Sequence, residues 1–321
     1  MNAIVEKALV LWGLPNADYS LVAARENEVF KVTHNNEICA LRLHRIGYRT
    51  DQELASELHW MEIASQNDIK VPTPISNTTG SFLETIDGVQ VDALDWLSGA
   101  PLSDVYLDLS TPERTSIFQK IGAEMAKLHK VSDAATLPEN FERCAWDREG
   151  LVGETPLWDR FWMNPFLESV DQVLFADFRT VANDVLSKCE GSLDYGLIHA
   201  DLVAANVMID GEDIRLLDFD DGGFGFRLFD IATTLLKFMG QSDYGAIRSA
   251  LVNGYLSVRT LDFEHLDLFL ALRAMSYVGW NMTRMDEEYG RERNTRFIDT
   301  ARTLAQAYLN QKFTAVNSAK S

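Results

Sequence analysis

The chain is poor in cysteine, short of basic residues relative to acidic ones, and without a long apolar run. Its three cysteines, Cys39, Cys144 and Cys189, lie far apart in 321 residues. They make neither a metal-type pair nor a disulfide framework, which fits a reducing, cytoplasmic setting. No apolar run approaches the ~18 residues that a membrane span needs. The opening MNAIVEKALVLWG carries Glu6 within its apolar stretch, and no small-residue cleavage site follows a basic start. It reads as an amphipathic first helix rather than a leader. Lys and Arg number 29 against 48 Asp and Glu, a net charge of −19. That balance excludes a general nucleic-acid binder, which must neutralise phosphates in bulk. It suits a protein that holds Mg²⁺ or a cationic substrate, although surface acids also serve solubility alone. Internal repeats and low-complexity segments are absent too.

What is present changes character along the chain. Residues 19–43 alternate and are turn-broken, with Asn35-Asn36 between two β-rich runs. A helix is expected over roughly 51–66, with Leu54, Leu58 and Met61 as its stripe and Thr50 and Glu53 at capping-box spacing. VPTPI breaks the pattern, and two strand-like runs at 81–86 and 89–94 flank Asp87-Gly88, a hairpin signal. From about residue 98 helices dominate, with stretches near 166–188, 231–239, 243–257, 263–284 and 292–312, and the tail TAVNSAKS is expected to fray. The expectation is an α+β, bilobal chain: a small β-rich N-terminal lobe over 1–97, a linker near 94–100, and a larger, mainly helical lobe over 98–321.

One stretch carries chemistry: LIHADLVAANVMIDGEDIRLLDFDDG, 197–222. VMI and IRLL are short β-type runs with a turn signal, Asp210 to Asp213, between them. With those four residues as the loop, Ile209 faces Ile214 and Asn206 falls opposite Leu217, beside Asp218. Asp201 lies on the way in. Three oxygen-bearing side chains then converge at one mouth, a donor set that Mg²⁺ accepts together with waters and phosphates. Read alone, Asp201 would be a loop cap, and Asp230, just ahead of IATTLLKFM, an N-cap.

His199-Ala200-Asp201-Leu202-Val203-Ala204-Ala205-Asn206 followed by Asp218-Phe219 resembles the catalytic core of the protein-kinase-like superfamily. HADLVAANVMID with LLDFDDGGFGFRLFDIA is most similar to the aminoglycoside phosphotransferase family and its homoserine-kinase-like and choline-kinase-like relatives. The resemblance implies an ATP- and Mg²⁺-dependent kinase acting on the hydroxyl of a small molecule. It implies that Asp201 accepts or orients the proton of the attacking hydroxyl, that Asn206 and Asp218 hold Mg²⁺, and that His199 and Asp230 brace the loop. Asp220 and Asp221 are candidate metal or substrate contacts.

On the nucleotide side the resemblance puts Arg42, between Leu41 and Leu43 in ICALRLHR, where a lysine is usual, and gives it an acid on the next helix as partner. Glu53 already has a capping task, so Glu57 is the expected partner; a solvent-facing strand arginine is the plain alternative. AARENEVFKV stands at the nucleotide-loop position with no glycine, which departs from protein kinases; Asn27 there is a phosphate contact or a turn residue. Asp95, Trp96 and Leu97 form the segment whose backbone reads adenine. Ala200 replaces the arginine of regulated protein kinases, and no long activation segment follows Asp218. Trp146, Trp158, Trp162, Trp280 and Tyr277, with nearby acids, could cage an ammonium group through cation–π attraction; Trp280 and Asp221 are the substrate contacts expected. Two other classes stay open: a Ser/Thr protein kinase of the bacterial stress-response type, and a nucleotide-binding module without turnover. The acceptor and the oligomeric state are not legible in the sequence.

Overall fold

Helix α1 (Asn2–Leu11) opens the chain, and β1 (Asp18–Ala24), β2 (Asn27–His34) and β3 (Glu37–His44) follow as an antiparallel meander. The computed structural model describes residues 2–24 and 27–318. Arg25 and Glu26, within the stretch read as the nucleotide loop, and residues 319–321 lie outside the described residues. Asn35 and Asn36 both take positive φ, 49° and 69°, and close the β2–β3 hairpin. Two left-handed residues in a row match the twist of the strands they join, and asparagine tolerates them. Helix α2 (Asp51–Gln66) starts with the expected capping box, Thr50 and Glu53 each bonding the other's backbone N–H. Asp87-Gly88, again with positive φ at both, turns β4 (Leu83–Ile86) into β5 (Val89–Asp95).

The five strands lie in the order β1-β2-β3-β5-β4. On one face Val5, Ala8 and Leu9 of α1, with Trp12 just after it, pack against Phe30, Val32, Leu41, Leu43, Val91 and Ala93. Each leucine-sized side chain buried there contributes about 1.5–3 kcal/mol. Strand alternation sends Arg42, His44 and Asp92 to the other face.

The remaining elements are β6 (Ala100–Pro101), α3 (Leu102–Val105), α4 (Thr111–Ala134), β7 (Ala145–Trp146), α5 (Arg148–Val152) and α6 (Ser169–Cys189), then β8 (Tyr195–Ile198), β9 (Val207–Asp210), β10 (Asp213–Leu216) and β11 (Gly223–Phe226). Helices α7 (Arg227–Leu236), α8 (Tyr244–Leu256), α9 (Leu266–Trp280) and α10 (Gly290–Ser318) close the chain. Helix α10 runs on through the first residues of the tail expected to fray. The fold is α+β, with a β-sheet N-terminal region and a helical C-terminal region.

The chain divides into two units. The first comprises Met1–Ser110, Glu124–Arg143 and Ala204–Asp220; the second Thr111–Ala123, Cys144–Val203 and Asp221–Ser321. The first holds the five-stranded sheet and a small sheet of order β10-β9-β6, in which β6 pairs with the β9–β10 hairpin. The second holds a sheet of order β7-β11-β8 and a helical body in which α9 packs against α7 and α10. Nearly all of α9 is buried in consequence. At Gly279 an added Cβ would run into the Trp158 carbonyl oxygen, so the absent side chain is what lets that segment lie on α9. No described helix is long and apolar enough to cross a membrane.

Candidate active site

The β9–β10 hairpin has the register that its apolar runs dictate, Ile214 opposite Ile209 and Leu216 opposite Val207. Its turn is tighter than expected: Asp213 pairs with Asp210, leaving only Gly211-Glu212 between the strands, with Gly211 at φ 60°. Beyond the paired residues, Leu217 N–H donates to Asn206 O at 2.8 Å. The half-buried Asn206 thus lies next to the residue that precedes Asp218. Asp218 is exposed and has φ 66°, a left-handed conformation that costs an L-residue roughly 1–2 kcal/mol. One amide oxygen and one carboxylate suit Mg²⁺, which keeps waters and phosphates for its other positions. A closed protein cage is not the arrangement here: among the described residues no group of three or more His, Cys, Asp or Glu could hold a metal.

In the second unit the loop after β8 is pinned from α7. Ala200 has φ 64°, and its N–H donates to Asp230 Oδ1 at 2.6 Å, while His199 N–H donates to Asp230 Oδ2 at 2.9 Å. Thr234 Oγ1 donates to Leu202 O at 2.8 Å. His199 is fully buried. Asp230 is not the N-cap that its place before IATTLLKFM suggests; α7 starts three residues earlier, at Arg227, with Phe226 as its cap residue. Its carboxylate is used instead to hold a left-handed backbone one residue before Asp201. Asp230→Asn keeps one acceptor but loses the charge and the second bond, and should cost about 2–3 kcal/mol in denaturant unfolding. A loss well under 1 kcal/mol would show that the loop holds its shape without this brace.

Arg42 lies in the first unit and is only 6% exposed, so it is not a solvent-facing strand arginine. Its Nε and Nη2 donate to the two oxygens of Asp92 at 2.8 and 2.7 Å, and Nη1 donates to Glu57 Oε1 at 2.9 Å. Arg42 and Asp92 are direct cross-strand partners on β3 and β5. His44 Nε2 meets Asp92 Oδ2 at 2.8 Å. Arg143 bonds Glu57 Oε2 at 3.3 Å and the carbonyls of Phe219 and Asp220 at 2.9 and 2.5 Å. Burial opposes ionisation of Glu57 and Asp92, but the guanidiniums outweigh it: Arg42 and Arg143 hold Glu57 below the usual carboxylate range, and Arg42 with His44 holds Asp92 well below it. The Asp220 carboxyl, 6% exposed, is pushed up by burial and then by Glu57; its nearest cation is Arg49, with Nε 3.4 Å from Oδ1. Asp220, read as a metal or substrate contact, is therefore enclosed in this network. The planar two-bond fit of guanidinium to Asp92 explains why an arginine stands here, since a lysine could not make it.

Asn27 is the half-buried first residue of β2, opposite His44. Asp95 ends β5, and its carboxylate accepts from Thr73 N–H. Trp96 and Leu97 follow outside regular secondary structure, with the Lys31 ammonium 5.0 Å from the Trp96 ring centroid.

In the second unit the aromatic residues cluster, but the cations over their faces belong to the chain. Arg273 lies over Trp158 and Tyr277 at 4.5 and 4.3 Å, and Arg284 and Arg293 over Trp280 at 4.2 and 5.1 Å. Arg179 covers Trp162 at 4.0 Å. Trp146 is packed between Trp158 and Phe229, and its indole N–H donates to Asp221 O at 2.9 Å. Asp201, 25% exposed, has Oδ1 2.8 Å from Arg273 Nη2.

The model of the Phosphotransferase enzyme family matches residues 19–269. The chain belongs to this family. The phosphotransferase is 22% identical to amicoumacin kinase of Bacillus subtilis (strain 168) over 74% of its own length and 68% of that protein. It is 26% identical to homoserine kinase of Sinorhizobium medicae (strain WSM419) over 70% of its own length and 65% of that protein. Among solved structures, a microcompartment-associated aminopropanol kinase matches with a TM-score of 0.84 and 27% identity, covering 97% of the phosphotransferase and 98% of that chain. Amicoumacin kinase in complex with AMP-PNP and Ca²⁺ shares the fold at a TM-score of 0.75 and 20% identity.

Asp92, Arg273 and Arg143 are among the charge-network residues to which the sequence alone assigns no role. Asp92 is a lone acid inside the apolar run VQVDAL, and Arg273 a lone cation inside LFLALRAMSYVGW; each is a buried-charge signal that needs a partner. Arg143 has no such local signature.

Proposed function

We propose that the chain transfers the γ-phosphoryl group of Mg²⁺·ATP to the hydroxyl of a small molecule that carries an amino group. An amino alcohol, an amino acid such as homoserine, or an amino sugar fits the proposal. The observation that carries it is that Asp201, Asn206 and Asp218 stand in a phosphotransferase whose likeness to an aminopropanol kinase runs nearly end to end. Asp201 orients the attacking hydroxyl and takes its proton, and His199 supports the loop. Asn206 and Asp218 would hold Mg²⁺, which supplies charge neutralisation at the phosphates. Asp92 and Glu57 use three of the five N–H groups of Arg42, so each Nη keeps one N–H to offer a phosphate. Asn27 lies toward the phosphates, and the backbone of Asp95, Trp96 and Leu97 reads adenine. Asp221 and Trp280 remain the proposed acceptor contacts. A cytoplasmic setting belongs to the same reading, and the three free thiols are in keeping with it.

The test is ADP release from Mg²⁺·ATP over aminopropanol, homoserine, choline, ethanolamine, sugars, aminoglycosides and a generic protein, with Asp218→Asn as blank. Saturable release with one small amine is the expected result. Release with protein alone would favour the protein-kinase reading, and ATP-dependent thermal stabilisation with no release at all would favour a binding module.

A further inference from the structure

Arg273 lies midway along α9, where every residue from Leu268 to Gly279 is buried. Its own side chain is 0% exposed. Nη2 donates to Asp201 Oδ1 at 2.8 Å and to the Tyr277 hydroxyl at 3.0 Å. Nε and Nη1 are buried without a hydrogen-bond partner. Burial pushes the Tyr277 hydroxyl up to about 12, so at neutral pH it accepts as a neutral phenol. The guanidinium plane is otherwise held by ring faces, those of Trp158, Tyr277 and Phe229.

As a strut this is a poor arrangement. A buried cation is expensive unless all its donors are matched, and an apolar side chain of similar volume often serves stability as well or better. Here two nitrogens go unmatched, and the one carboxylate met is a quarter exposed. What the arrangement does achieve is control of that carboxylate. Asp201 follows a left-handed alanine on a loop, and the guanidinium bond at Oδ1 restricts rotation of its side chain. A guanidinium is always protonated and cannot itself relay a proton. It can fix one oxygen of Asp201 and so set the plane in which the other meets an acceptor.

We infer that Arg273 is a positioning residue for the reacting hydroxyl: it locks the Asp201 carboxylate in one orientation, with Trp158 and Tyr277 holding the lock in place. The inference rests on the reading of Asp201 as the group that orients the acceptor. It suits a phosphoryl transfer whose loose transition state needs alignment more than early proton removal.

The experiment compares Arg273→Met, Arg273→Lys, Asp201→Asn and the Asp201→Asn/Arg273→Met double variant of the full chain, with the better acceptor of the panel above. Arg273→Met should unfold at or above the wild-type temperature, keep its KM for ATP, and lose kcat by roughly 10–100-fold. Arg273→Lys, which keeps the charge but not the fork, should recover part of the loss. The double variant should be no slower than Asp201→Asn alone, because the two residues act as one unit. Wild-type kcat in Arg273→Met beside a disabled Asp201→Asn would overturn the positioning role and leave Asp201 in place. Full turnover in Asp201→Asn would instead remove the reading beneath it. A fall in unfolding temperature in both Arg273 variants, with kcat per folded molecule intact, would make Arg273 a strut and overturn the inference.

Discussion

Asp201→Asn is expected to lower kcat by about 10²–10⁴ and to leave Mg²⁺·ATP binding unchanged. Asparagine has the shape of aspartate and keeps an oxygen for Arg273 Nη2, so the loop that Asp230 braces has no reason to move. What is lost is the negative charge that, in the proposed reaction, draws the hydroxyl proton and orients the attacking oxygen. The effect therefore falls on the transition state and not on the nucleotide, and kcat and kcat/KM should drop together. Titration calorimetry with Mg²⁺·ATP, beside steady-state rates, separates the two. Asp218→Asn is the contrasting case, since loss of its carboxylate should weaken nucleotide binding and transfer alike. If Asp201→Asn and wild type turned over equally fast, Asp201 would be a loop residue and nothing more.

Asp92→Asn should cost the fold about 3–5 kcal/mol, the range for breaking a buried pair by removing one partner. Asp92 takes both bonds from the Arg42 fork and a third from His44, and all three groups are buried. Without its charge, Arg42 is left with Glu57, which already serves Arg143 as well. The pH dependence carries a sign. Because Arg42 and His44 hold the folded Asp92 carboxyl well below its unfolded value of ~3.9, its stabilisation is complete above that value and is lost as pH falls through it toward the folded value. Glu57, also lowered, acts in the same direction. Wild type should lose stability steeply in acid, and Asp92→Asn should start lower but fall less steeply. Parallel stability–pH curves for the two proteins would show that the pair is not what acid breaks.

Local chemistry was legible in the sequence because neighbours in the chain decide it. Asn35-Asn36, Asp87-Gly88 and the Thr50–Glu53 box each specify a turn or a cap within four residues, and the apolar runs of β9 and β10 fixed their own register. The charge networks were legible only in part. Glu57 could be chosen over Glu53 because Glu53 had another task, but Asp92 reaches Arg42 from a strand 50 residues on. Asp230 alone looks like a cap because the apolar run after it hides the helical turn before it, and only the resemblance points to the bracing bonds it makes. The aromatic residues were countable, whereas the occupants of their faces depend on which arginines the fold carries there. Those are Arg179, Arg273, Arg284 and Arg293, each lying over at least one of the rings that the sequence offers for an ammonium group.

The most direct test of the central claim is to look for the product. The full chain is incubated with Mg²⁺·ATP and aminopropanol, then with homoserine, and followed by phosphorus NMR with Asp218→Asn alongside. A phosphate monoester resonance is expected to grow in step with ADP, from the wild-type protein only and with one of these small amines. ADP that accumulates with inorganic phosphate and no ester, or an ester formed equally by Asp218→Asn, would contradict the claim.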